Sequence, residues 1–171
     1  MNQSHDEAVV ELLIEQGTTL ATVESCTGGM IGERLTAIPG SSAAYLGGFV
    51  TYSNEMKTRL VGVQQRTLKA HGAVSEETCT EMAIGGLERT GADYAISVTG
   101  IAGPAGGTPD KPIGTVWIGV AALDGKRDIR RFRFTGDRDQ IRQHSATTAM
   151  AMLWGMLAKR GRLELFWETK Q

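Results

Sequence analysis

The residues best suited to covalent chemistry are serine hydroxyls and one lysine, and they fall in or near short turn-like segments. Glu24-Ser25-Cys26-Thr27-Gly28-Gly29 ends a β-branched run and opens a helix. Free N–H groups at such a helix start, with two glycines permitting close approach, favour an anion. The plainer alternative is a strand–helix turn capped by Ser or Thr. Cys26 has no histidine placed beside it by the sequence and reads as a small buried side chain. Pro39-Gly40-Ser41-Ser42 precedes Tyr52-Ser53-Asn54 and Lys57. A serine needs a base to become a nucleophile, and a lysine serves when burial or a cationic neighbour lowers its pKa. The spacing allows Ser42 and Lys57 to meet across a strand–turn–helix but does not require it. On periodicity alone, Ser42 belongs in a turn and Lys57 on a solvated helix face.

Two further segments could hold an anion. Thr99 to Gly114 is a long Gly/Pro stretch bracketed by strong strands, a length that usually signals function. Its glycines, among them Gly100, Gly103 and Gly106, leave backbone amides open to an oxyanion or phosphate. It is neither a P-loop, since no Gly-Lys-Ser/Thr follows, nor a dinucleotide fingerprint, since no helix follows Gly106. In Thr135-Gly136-Asp137-Arg138-Asp139, the acidic residues suit a helix N-terminus and Arg138 does not. That cation is either incidental or meets an anion sharing the site.

The elements that must position these residues alternate in type. Val9, Leu12, Leu13 and Gln16 share a helical face that Gly17 ends. Thr18 to Val23 predicts a buried strand, Met30 to Ala37 a helix, and Gly47 to Tyr52 a strand. Asn54 is expected to cap a helix to about Leu60, Gln64 to Ala70 gives another, and Ser75 caps a third that Gly91 ends. Strands follow over Asp93 to Thr99, Gly114 to Leu123 and Asp128 to Phe134, the last two joined by an Asp124-Gly125 turn. Asp137 begins a long final helix. This order predicts an α/β domain with a mixed sheet, occupying all of residues 1–171 with a core over about 5–158 and an extension over 159–171. In that extension Leu163, Leu165 and Trp167 alternate with Glu164, Phe166 and Glu168, predicting an apolar face for a second copy, or else for the chain's own core.

Composition narrows the partners. Of 171 residues, 18 are Lys or Arg and 19 are Asp or Glu, a net charge of −1. No global basic field exists to hold nucleic acid or an anionic membrane directly. Arg127, Arg130, Arg131 and Arg133 form the one dense basic run, read as a solvated edge hairpin. Two cysteines and three histidines lack metal-ligand spacing, so no metal or other cofactor is expected. No run of 18 apolar residues is present. The polar, acidic N-terminus is wrong for a signal peptide, and a cytoplasmic location is expected.

Taken together, the segments resemble one family. Glu24-Ser25-Cys26-Thr27-Gly28-Gly29, Pro39-Gly40-Ser41-Ser42, Thr51-Tyr52-Ser53-Asn54-Glu55 with Lys57, His71-Gly72-Ala73-Val74-Ser75, Val98-Thr99-Gly100-Ile101-Ala102-Gly103-Pro104, Lys111-Pro112-Ile113-Gly114-Thr115-Val116 and Gly136-Asp137-Arg138 run in the order found in CinA C-terminal domains. That family includes stand-alone nicotinamide-nucleotide amidases. The resemblance implies a three-layer α/β/α sandwich and metal-free hydrolysis of nicotinamide mononucleotide to nicotinic acid mononucleotide and ammonia. It implies Ser42 as nucleophile, Lys57 as its base and Tyr52 as a supporting hydroxyl. Ser25, Thr27, Gly28, Thr99, Gly100, Gly103, Gly106 and Arg138 would line the substrate site, with Arg138 contacting the phosphate or another part of the substrate. It further implies a homo-oligomer, and places any pyrophosphatase activity with the large N-terminal domain of longer relatives. One departure is Thr108-Pro109-Asp110-Lys111, where relatives often carry Glu before the Lys. The competing reading is a non-catalytic nucleotide-binding module linked to competence or DNA damage, which needs no Ser–Lys contact.

Overall fold

Ser4 and Glu7 close a capping box that starts helix α1 (His5–Gln16). The computed structural model describes residues 4–169. After α1 come β1 (Leu20–Glu24), α2 (Met30–Thr36), a single 3₁₀ turn over Ser41–Ala43, and β2 (Tyr45–Val50). Then follow α3 (Asn54–Val61), α4 (Gln65–His71), α5 (Glu76–Thr90) and β3 (Tyr94–Gly100). The chain ends with β4 (Thr115–Ala122), β5 (Arg127–Arg133) and α6 (Arg138–Leu157).

The five strands form one sheet in the order β2-β1-β3-β4-β5. β2, β1 and β3 run parallel, while β4 is antiparallel to both β3 and β5. The interior strands β1 and β4 are buried along their whole length, as expected of strands covered on both faces. α1, α2 and α6 cover one face, and α3, α4 and α5 the other. The α1/α6 face holds the larger core, with Val9, Leu13, Leu20, Ile96, Ile118, Phe132 and Met150 all fully enclosed. The opposite face buries Val23, Val61, Val63 and Met82. This is the expected three-layer α/β/α sandwich with a mixed sheet.

The crossover from β1 to β2 runs through α2 on one face, and that from β2 to β3 through α3, α4 and α5 on the other. The order therefore reverses between β1 and β3, and the crevice beyond their carboxyl ends is where open α/β sheets bind ligands. Gly85 seats α3 there. A Cβ on Gly85 would lie 1.8 Å from the Val61 carbonyl oxygen, so only glycine lets α5 approach the end of α3 so closely.

Several local expectations change. β2 covers Tyr45–Val50 rather than Gly47 to Tyr52, so Thr51 and Tyr52 lie in the connection to α3. Ser53, not Asn54, caps α3, accepting from the Met56 N–H. Arg130 is 3% exposed, hydrogen-bonded by Asp128, Glu168 and the Leu163 carbonyl, so the basic run is not simply a solvated hairpin. Of the two alternatives for the tail, its contacts here are with the chain's own core. The Arg133 N–H donates to the Trp167 carbonyl and the Thr169 N–H to the Arg131 carbonyl. Trp167 lies tilted against His144, ring centroids 4.6 Å apart, and edges onto Phe134, so the tail covers its own β5.

Candidate active site

β1 ends at Glu24, whose two carboxylate oxygens accept from the Ile31 and Gly32 N–H groups at the start of α2. A carboxylate at a helix N-terminus satisfies otherwise orphaned donors. It ties the end of the strand to the helix, so the residues between them must turn tightly. Ser25 is the first of these. Its N–H donates to the Val98 carbonyl on β3, which fixes it between β1 and β3.

Lys57 reaches this turn from α3. It is among the largest fully buried side chains, at 1% exposure. Nζ lies 3.0 Å from Ser25 Oγ, 2.9 Å from the Thr51 carbonyl and 3.4 Å from the Tyr52 carbonyl. Among the described residues no carboxylate pairs with it. Burial pushes its pKa below that of a free lysine, against a smaller opposing pull from Cys26. A neutral amine has two N–H donors and one lone pair. Nζ donates to all three oxygens when protonated; once neutral, the two carbonyls take its donors and Ser25 Oγ–H can turn to its lone pair. A neutral lysine in hydrogen-bond contact with a hydroxyl can take its proton.

Tyr52, Thr99, Gly100 and Arg138 complete the cavity, of about 230 Å³, together with Ser25, Cys26, Asn54, Lys57, Ala73, Val74 and Ala102. Thr99 donates its hydroxyl to the Ala73 carbonyl at 2.7 Å. Arg138 stands at the first position of α6, which an Asp137–Gln140 capping box fixes. Its guanidinium donates to the Gly103 carbonyl at 2.7 Å and to the Tyr52 hydroxyl at 2.9 Å. It makes no ion pair among the described residues, so its charge is free for an anion. Tyr52 is 59% exposed at the cavity mouth, with its hydroxyl on Arg138 rather than on the Ser25–Lys57 pair.

Ser42 is the main displacement from expectation. It is exposed in the 3₁₀ turn before β2. Leu20 opposes Tyr45, three residues after Ser42, whereas Ser25 lies beyond the far end of β1. Five residues of strand at about 3.3 Å each put about 16 Å between the two serines along the sheet. Adjacency of parallel strands carries Ser42 to their amino ends and Ser25 to their carboxyl ends, so Lys57 meets only Ser25. Thr27 is buried but does not line the cavity, and Gly28 and Gly106 lie on the surface outside it. Gly103 is buried and contributes through the carbonyl that holds Arg138. Cys26 does line the cavity, but burial pushes its thiol up to about 12, so no thiolate is available near neutral pH.

A larger cavity of about 510 Å³ lies at the other end of the sheet, beside Lys126, Arg127, Gly155 and Lys159. Its lining has no serine, cysteine or histidine. Among the described residues no group of three His, Cys, Asp or Glu side chains could hold a metal ion. No helix among them is long and apolar enough to cross a membrane.

The profile of the CinA C-terminal domain matches residues 2–157. The chain belongs to that family. Its relatives are of two lengths. A CinA-like protein of Chlorobaculum tepidum is 51% identical over 163 residues, which span 93% of this chain but 38% of that protein. The protein named nicotinamide-nucleotide amidohydrolase PncC in Escherichia coli K12 is 50% identical over 148 residues, spanning 86% of this chain and 90% of PncC. Among CinA-superfamily crystal structures, one from Klebsiella pneumoniae superposes with a TM-score of 0.86 at 41% identity, covering 92% of this chain and 99% of the other. The competence/damage-inducible protein CihA of Agrobacterium tumefaciens gives 0.85 at 40% identity, covering 92% and 98%.

Of the CinA-type strings, the fold brings Ser25, Lys57, Tyr52, Thr99, Gly100 and Arg138 into one cavity. What sequence reasoning missed is the identity of the serine that meets Lys57. The available signal was position: Ser25 directly follows a buried strand and precedes a helix, where open α/β sheets bind ligands.

Proposed function

We propose that this protein hydrolyses the carboxamide of nicotinamide mononucleotide to nicotinic acid mononucleotide and ammonia, with Ser25 as nucleophile and Lys57 as base. The observation that carries the reading is the buried Lys57 amine, with no carboxylate partner among the described residues, 3.0 Å from Ser25 Oγ. A passive binding module has no need to bury an amine against a hydroxyl, since burial of an unpaired cation is costly. The 50% identity to PncC over most of both chains supports the substrate.

In the first step, Ser25 Oγ attacks the carboxamide carbon as its proton moves to Lys57 Nζ. The tetrahedral oxyanion collapses, Lys57 returns the proton to the departing nitrogen, and ammonia leaves an ester on Ser25. Water then attacks that ester, giving its proton to Lys57. Collapse releases the carboxylate and restores the Ser25 hydroxyl. The pyridinium charge of the substrate favours a neutral Lys57, because like charges depress a lysine pKa. Arg138, which makes no ion pair among the described residues, suits the phosphate.

The test is ammonia release from nicotinamide mononucleotide by the purified protein, with nicotinic acid mononucleotide identified by chromatography. Release by wild type and its loss in Ser25→Ala are expected. A wild-type protein that releases no ammonia from this substrate would remove the reading.

A further inference from the structure

The turn that carries Ser25 is secured at both ends and closed by its own backbone, Gly28 N–H donating to the Ser25 carbonyl at 3.0 Å and Met30 N–H to the Thr27 carbonyl at 3.2 Å, but the Cys26 carbonyl has no backbone donor among the described residues. Ser25 N–H is bonded to Val98 on β3, and Glu24 anchors the start of α2. Between them, the Cys26 carbonyl faces α6. There Arg142 Nε donates to it at 3.2 Å, and Arg142 Nη2 donates to the Thr27 carbonyl at 3.1 Å. Among the described residues Arg142 is the only donor to the Cys26 carbonyl. The planar fork of a guanidinium suits two successive carbonyls in a way an ammonium cannot match.

Each carbonyl shares a rigid plane with the next N–H. Holding the Cys26 carbonyl therefore sets the orientation of the Cys26–Thr27 peptide plane, the second after the serine, and holding the Thr27 carbonyl reinforces the next plane, which Gly28 N–H and Met30 N–H already tie to the turn. The platform for this fork is firm. Arg142 stands one helical turn after Arg138 on α6, beside the enclosed Ile141 and Ser145. Gly28 (φ +61°), the residue after Thr27, puts no side chain in the fork's way. Asp139 partners the outer nitrogen at 3.4 Å and is itself 85% exposed, so it does little to draw the fork away. Arg142 does not line the cavity.

We propose that Arg142 is a positioning residue for the Ser25 nucleophile, acting through the Cys26 and Thr27 carbonyls and not through the substrate. One helix thereby serves the site twice, with Arg138 facing the cavity and Arg142 clamping the turn. The inference rests on the amidohydrolase reading for its kinetics, and on the Ser25–Lys57 pair alone for its chemistry.

The experiment compares wild type, Arg142→Ala and Arg142→Lys in ammonia release and in the rate at which a fluorophosphonate labels Ser25. Misplacement of a reacting group by about 1 Å costs up to about a hundredfold. Arg142→Ala should lose ten- to a hundredfold in kcat and in labelling rate, with KM within about twofold. Added guanidinium ion should restore part of both rates in Arg142→Ala and leave wild type unchanged. Arg142→Lys should fall in between, and carries the test if Arg142→Ala does not fold. Full activity in a folded Arg142→Ala, or a raised KM with kcat kept, would overturn the proposal. So would failure of guanidinium to raise either rate. If wild type is labelled at Ser25 but releases no ammonia, the substrate reading fails while the labelling rates still decide the role of Arg142.

Discussion

Replacing Ser25 by alanine deletes one oxygen and separates two accounts of the site. That oxygen lies 3.0 Å from Lys57 Nζ, while Ser42 stands about 16 Å away along the strands. A base accepts a proton only within hydrogen-bond reach or through one water, so Lys57 cannot serve Ser42. Loss of the nucleophile removes the covalent route entirely. Losses on the order of a thousandfold or more are expected for such a change, equal to about 4 kcal/mol of barrier at 1.36 kcal/mol per tenfold. The fold should tolerate it, because one hydrogen bond is worth about 1 kcal/mol. Ser42→Ala, at an exposed turn, should keep kcat/KM within about twofold. The assay is ammonia release at saturating and limiting substrate, with circular dichroism to confirm folding. Intact-mass measurement of briefly reacted wild type should show an acyl adduct that maps to Ser25. A folded Ser25→Ala that keeps a tenth of wild-type turnover, or a Ser42→Ala that is inactive, would refute the reasoning.

Other outcomes follow from the same geometry. Burial lowers the Lys57 pKa, so the base is charged and inactive at low pH; kcat/KM should rise with pH through that lowered pKa, and Lys57→Arg should be inactive at every pH. Between the lowered value and that of free lysine, the unfolded chain binds more protons than the folded one. Stability should therefore rise with pH across that window in denaturant titrations, and Lys57→Met should remove the slope. Arg138→Ala should raise KM for the mononucleotide at least tenfold more than for the phosphate-free riboside, and equal effects would make Arg138 structural. Gly85→Ala drives a methyl into the Val61 carbonyl and should cost about 1–3 kcal/mol by thermal melting, with turnover falling as α3 shifts. A chain ending at Arg160 loses the Trp167 contacts with Phe134 and His144, and should melt several degrees lower, at about 2–4 °C per kcal/mol.

Most of the fold was legible because local chemistry and burial agree. Ser75 and Asp137 cap helices, Asp124-Gly125 turns a hairpin, and β-branched runs make the interior strands. These signals act within a few residues, so the chain carries them without knowing its neighbours. The residue types of the site were legible for the same reason: a serine at a strand–helix turn, a lysine on the next helix but one, glycines between, and Arg138 at a helix start. The pairing was not. Ser42 and Ser25 each stand beside a glycine-bearing turn, and Ser42 is closer to Lys57 in sequence. Parallel pairing of β1 with β2 reverses that order in space, because it puts the residues before β2 and after β1 at opposite ends of the sheet. Arg142 was hidden for a related reason. Its partners are main-chain carbonyls more than a hundred residues away, and carbonyls leave no mark in a sequence. The tail shows the same limit. Alternation revealed an apolar face in Leu163, Leu165 and Trp167, but whether that face meets a second copy or its own β5 is set by where the edge strand lies. Residue type and local pattern determined what chemistry the chain could do; sheet order decided which atoms do it.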